Sequence, residues 1–155
     1  MKGLSTIERV ILEALSNQSL TIREIQNETG LTSNVTFNLL QALIIRGLVA
    51  YQNSAYCINQ NIPQSVIQTL NAEEARKFEA LELITSMVEA PSNEEFKLKK
   101  VYLEGADEKI FKSLLIQMES LINEASKKRK GSVKDCKVIF WACDNYGSII
   151  KRLVS

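Results

Sequence analysis

Apolar residues recur at three- and four-residue spacing near the start of the chain: Ile7, Val10, Ile11, Ala14 and Leu15 form one helical face, which ends at the polar run Ser16-Asn17-Gln18-Ser19. Ser5-Thr6-Ile7-Glu8 opens that helix as a capping box, in which the serine oxygen takes a backbone N–H and the glutamate reaches back. Thr21-Ile22-Arg23-Glu24 repeats the pattern ahead of a short second helix, with Ile25 inward and Gly30 at the stop. Leu31 bridges the turn, Thr32 or Ser33 caps a third helix, and Gly47 ends it after Arg46. Three helices with a tight turn between the second and third make a helix-turn-helix. Two β-prone runs come next, residues 48–52 and 55–59. Only Asn53-Ser54 separates them, so they predict a two-residue hairpin that would serve as a wing. Ile62-Pro63 closes this unit, because proline cannot continue the pairing and biases its predecessor away from helix.

Beyond Pro63 the period changes. Residues 71–89 predict a helix capped by Asn71, with Glu73 and Glu74 where the macrodipole favours acids. Ala75, Phe78, Leu81, Ile84 and Val88 form its main stripe, and Leu83 and Met87 lie off it, so the helix has two apolar faces to cover. Ala90-Pro91-Ser92-Asn93 reads as a linker. Residues 96–104 read as a strand whose outer face carries Lys97, Lys99 and Lys100, a device that blunts an exposed edge. Asp107 opens a long helix with Ile110, Phe111, Leu114, Leu115, Met118, Leu121, Ile122 and Ala125 on one stripe, ending in Lys127-Lys128-Arg129-Lys130. Residues 137–143 are continuously apolar after Lys137, as in a strand buried on both faces, with Trp141 in the core, and a last short helix comes after Gly147. The expected fold class is therefore α+β: a winged helix-turn-helix over residues 1–63, a linker or dimerisation helix over 64–93, and a small βαβα region over 94–155. Two strands are too few to be stable alone, which calls for a second copy or for other elements of the same chain.

The net charge of the 155-residue chain is only +1, so charge alone makes no case for nucleic acid or an anionic membrane. Its distribution is uneven, and the positive excess falls after residue 93. Three cysteines, Cys57, Cys136 and Cys143, lack metal-ligand spacing, and the chain has no histidine. That argues for a reducing compartment, against zinc, and against a nucleophilic role for the Cys143 thiol, which has no histidine to activate it. No Gly-rich phosphate loop or other catalytic motif occurs. We expect no catalytic site, no metal and no cofactor. No stretch approaches eighteen consecutive apolar residues, so no membrane partner is expected and the chain is read as cytoplasmic.

Thr29-Gly30-Leu31-Thr32-Ser33-Asn34-Val35-Thr36 with Leu39-Leu40, Leu43, Arg46-Gly47-Leu48-Val49 and the hairpin resembles the recognition-helix and wing stretch of MarR-like winged-helix regulators. From Ala75-Arg76-Lys77-Phe78 onward, the order helix, strand, long helix, strand is similar to the C-terminal region of a family of uncharacterised bacterial transcriptional regulators. The resemblance implies a winged helix joined to a small α/β region, with no known ligand. DNA-reading members place arginine or lysine on the exposed face of the third helix, and here that face offers Ser33, Asn34, Phe37, Asn38 and Gln41.

That helix has two readings. In the first it enters the major groove of double-stranded DNA, with Asn34, Asn38 and Gln41 as amides able to pair with adenine, Thr32 or Ser33 on phosphate, Phe37 against a thymine methyl, and Arg46 as the one cation. Gln52, Asn53 and Ser54 would form the wing tip. A homodimer formed after residue 63 would then supply two-fold symmetry. In the second, the same helix and wing meet a protein partner and the module is an interaction adaptor, which the even charge of residues 1–63 favours. The basic run after the long helix reads first as dipole compensation and solvated surface.

Overall fold

A computed structural model describes residues 3–90, 97–128 and 131–154. Helices α1 (Thr6–Leu15), α2 (Ile22–Thr29) and α3 (Ser33–Ile45) are followed by an antiparallel hairpin, β1 (Val49–Gln52) and β2 (Ala55–Ile58). Both capping boxes form as the sequence requires: Ser5 with Glu8 on α1, and Thr21 with Glu24 on α2. Gly30 ends α2 at φ 73°, a left-handed conformation that costs glycine nothing. Thr32 is the N-cap residue of α3 but makes no side-chain cap; its carbonyl instead accepts the hydroxyl of Thr36 at 2.9 Å, which satisfies a fully buried polar group.

The turn Asn53-Ser54 has φ 51° and 63°, the paired positive values of a type I′ turn, whose twist matches the two strands it joins. Val49 pairs with Ile58 and Gln52 with Ala55. A third short rung is added where Leu20 and Tyr56 exchange backbone hydrogen bonds of 2.9 and 2.7 Å, tying the α1–α2 connection to the wing. Ile11, Ala14, Leu15, Ile25, Leu40, Leu43, Leu48 and Val49 fill the space between helices and hairpin. Burial of this kind contributes roughly 1.5–3 kcal/mol for each large side chain.

A short helix not anticipated from the pattern, α4 (Gln64–Leu70), starts at Pro63 and adds Leu70 to this core. Asn71 ends α4 rather than capping the next helix, and α5 (Glu73–Glu89) begins after Ala72 with no side-chain cap. The long helix α6 (Ala106–Lys127) stands where expected, and the last helix α7 (Tyr146–Leu153) starts before Gly147 rather than after it, because Asn145 caps it.

The βαβα reading of the C-terminal region needs correction in the described residues. Neither 97–104 nor 137–143 forms a strand, and the hairpin is the whole of the sheet there. Strands need partners on at least one edge, and among the described residues none pairs with either run; the two regions touch where the Lys100 ammonium lies 4.5 Å from the Tyr146 ring centroid. Lys97, Lys99 and Lys100 therefore guard no sheet edge. Trp141, expected in a core, is 41% exposed. The expected linker residues Pro91-Ser92-Asn93, the strand start Phe96 and the basic residues Arg129 and Lys130 lie outside the described residues.

Candidate nucleic-acid interface

Positions 34, 37, 38, 41 and 45 fall on one face of α3 by helical spacing. All five residues, Asn34, Phe37, Asn38, Gln41 and Ile45, are exposed. The face therefore carries three amides and two apolar side chains, Phe37 at 50% and Ile45 at 84% exposure. Thr32 and Ser33 are exposed at its N-terminal end, and Ser33 Oγ accepts a 3.0 Å hydrogen bond from Gln26 Nε2 of α2, which fixes the turn. Gln52, Asn53 and Ser54 are exposed at the wing tip. Behind the tip, Tyr51 and Tyr56 pair across the hairpin with ring centroids 4.8 Å apart. The sequence reading singled out neither Ile45 nor Tyr51.

Arg46 does not join that face. Its Nη1 donates to Glu8 Oε1 at 2.8 Å, and Nη2 points at the carbonyl of Gly3. The other oxygen of Glu8 accepts the backbone N–H of Ser5 at 2.8 Å, so one carboxylate both caps α1 and anchors the end of α3. Burial raises the Glu8 carboxyl, but the Ser5 backbone hydrogen bond together with the Arg46 guanidinium outweighs it, and the net position is below the usual value. A desolvated guanidinium held this way is a structural cation. A cation the sequence reading passed over is Arg23, exposed in the first turn of α2; the capping box at Thr21 already places it there.

Two further contacts bind the helix-turn-helix to α4 and α5. The Thr6 backbone N–H donates to Glu82 Oε2 at 3.0 Å, and its hydroxyl reaches the same oxygen. Those two bonds hold the Glu82 carboxyl below its usual value. Arg9 Nη2 donates to the Leu70 carbonyl at the end of α4, and Nε stands 3.3 Å from Glu79 Oε2, within ion-pair range but off the line of a hydrogen bond.

Beside Cys143, the side chains of Asp144 and Asn145 make local contacts. Asn145 caps α7 by accepting the Ser148 N–H at 3.3 Å, and Asp144 takes Arg152, which holds its carboxyl low. Among the described residues no group of three or more histidine, cysteine or acidic side chains is placed to hold a metal ion, and no helix is long and apolar enough to cross a membrane.

A hairpin closed onto the strand-like rung at Leu20, behind an exposed third helix, is the winged form of the helix-turn-helix. Residues 10–53 match the IclR helix-turn-helix domain. The match runs from Val10 in α1 to the wing tip and covers α3 entirely; it points to the IclR type where the sequence suggested a MarR-like one. No curated protein matches the chain.

Proposed function

We propose that the chain is a homodimeric transcriptional regulator, without catalytic activity, that binds double-stranded DNA by setting α3 in the major groove. The match of residues 10–53 to the IclR helix-turn-helix domain is the observation that carries this reading. The exposed amides Asn34, Asn38 and Gln41 are suited to adenine edges, and Phe37 to a thymine methyl. Thr32 and Ser33 at the start of α3, and Gln52, Asn53 and Ser54 at the wing tip, are assigned to the phosphate backbone. Such a protein acts in the cytoplasm, where its three cysteines stay reduced.

Dimerisation is supported by area. The chain exposes 12194 Å², whereas a compact monomer of 155 residues exposes on the order of 8,000 Å². The excess, about 4,000 Å² on one chain, is more than the roughly 1,000–2,500 Å² that each partner contributes to an obligate interface, so the surface has room for a second copy. A second reading, a winged-helix adaptor for a protein partner, is favoured by one observation: Phe37 and Ile45 give the third helix a partly apolar face with no cation on it.

The two readings separate on mixed-sequence duplex DNA, followed by selection of preferred sites from a genomic library. A regulator is retained at low salt and selects a sequence. On that sequence, alanine at Asn34, Asn38 or Gln41 should each cost about 1–3 kcal/mol of binding. Unchanged affinity in all three removes the readout role, and absence of retention at any salt supports the adaptor.

A further inference from the structure

The chain after α6 comes back to the helix-turn-helix. A short 3-10 turn, Val133–Asp135, lies against α1 and α2. Val133 packs at the edge of the hydrophobic core, and its backbone N–H donates to Glu28 Oε2 of α2 at 3.3 Å. Lys134 is thereby set over the turn between α2 and α3: a β-carbon on Gly30 would meet Lys134 Cβ at 3.8 Å and Cδ at 3.9 Å. Gly30 is two residues from Thr32, the N-cap residue of α3, and Lys134 itself is exposed.

This placement answers a deficit. Binding to a duplex draws most of its non-specific affinity from cations that neutralise phosphates. Between Thr32 and Gln41 there is no lysine or arginine, and Arg46 is held by Glu8. The stem of Lys134 lies beside Gly30, in the turn that leads to Thr32, with a flexible, strongly hydrated ammonium at its tip, the form of cation that binds phosphate as a point charge.

We propose that Lys134, delivered by the C-terminal segment, is a DNA-backbone contact beside the N-terminal end of the recognition helix. The proposal rests on the DNA-binding reading and adds a dependence to it: full duplex affinity is reached only with the 3-10 turn docked on α2. An element more than a hundred positions from Glu28 thus completes the interface.

The test uses the full chain and a labelled mixed-sequence duplex titrated over a range of salt. Lys134→Ala should weaken binding roughly three- to tenfold at low salt and make the plot of log K against log salt shallower by about 0.9, the value of one phosphate contact. Lys134→Glu should weaken it further, and Lys134→Arg should stay within about twofold of the parent by preserving the charge. Lys112→Ala, which removes an exposed lysine paired with Glu108 on α6, is the control and should change nothing. A Lys134→Ala chain with the parent's affinity and slope overturns the role of Lys134 and leaves the DNA reading standing. An equal loss in Lys112→Ala also overturns it, by showing that net charge alone is felt. If the parent chain binds no duplex at all, both readings fall together.

Discussion

Every fully buried hydrophobic side chain among the described residues lies at or before Leu70, and α5, α6 and α7 contain none. Yet α6 is the longest helix of the chain, with half-buried Phe111, Leu115, Met118 and Ile122 along one side and exposed Ile110, Leu114 and Leu121 beside them. The two regions do not differ in how well their sequences specify helices. They differ in closure. In the first, three helices and a hairpin turn their apolar faces toward one another over a short stretch of chain, and the loop-closure entropy of each contact is small. In the second, an amphipathic helix forms its stripe, and among the described residues no other element packs broadly against it. A helical pattern specifies a face and leaves open what the face meets.

The comparison is broken most strongly in the core. Leu40 is fully buried between α3 and the rest of the helix-turn-helix. Leu40→Ala should cost about 2–5 kcal/mol, as the transfer and cavity terms add. Leu121→Ala, on the exposed side of α6, should cost far less in dilute solution. Urea unfolding of both variants measures the contrast, and equal losses would mean that α6 is buried against a partner even at the lowest concentration used.

Sedimentation at increasing concentration sharpens it. If α6 closes against a second copy, a charge placed on its stripe must be desolvated without a partner. Leu114→Glu should weaken self-association about a hundredfold, close to 3 kcal/mol. The parent chain should sediment as a dimer at micromolar concentration, and a parent that remains monomeric there would remove the dimer from the functional reading.

Legibility in the sequence divides along the same line. The capping boxes at Ser5 and Thr21, the left-handed Gly30 and the Asn53-Ser54 turn are each signalled within four residues, and each forms. The amide face of α3 is equally local, since spacing alone aligns Asn34, Asn38 and Gln41. The contacts that decide how the site works are distant ones: Glu8 with Arg46, thirty-eight positions apart, and Leu20 with Tyr56. No local pattern distinguishes an arginine destined for a phosphate from one destined for a carboxylate. The strand readings at 97–104 and 137–143 failed for a related reason: apolar runs show a β preference, but a ladder requires an edge to pair with.

The Glu8–Arg46 pair makes that long-range part measurable. With side chains only 13% and 20% exposed, it is a charge-assisted contact shielded from water. Glu8→Gln should cost about 1.5–3 kcal/mol near neutral pH. Because the folded carboxyl sits below its ordinary value of 4.5, its stabilisation is complete above that value and fades as pH falls through the lower folded one. The gap between parent and variant should therefore narrow on acidification. A gap that is constant from neutral pH down to acid unfolding would show that the carboxylate's charge is not what holds α3 to α1.

The smallest effect concerns the wing, where local signals suffice. Ser54 occupies φ 63°, and a left-handed conformation costs a residue with a β-carbon roughly 1–2 kcal/mol. Asn-Gly is the preferred pair for a type I′ turn because glycine avoids that cost. Glycine also loses more entropy on folding, which offsets part of the gain. Ser54→Gly should therefore stabilise the chain by only a few tenths to about 1 kcal/mol, seen as a small rise in the urea midpoint with an unchanged slope. The same substitution removes a hydroxyl assigned to the phosphate backbone. A variant that is slightly more stable but binds duplex DNA more weakly would separate the turn's role in folding from the wing tip's role in binding. A variant gaining stability with no loss of affinity would leave the wing tip as a structural closure alone, and the DNA contacts would fall to α3 and its flanks.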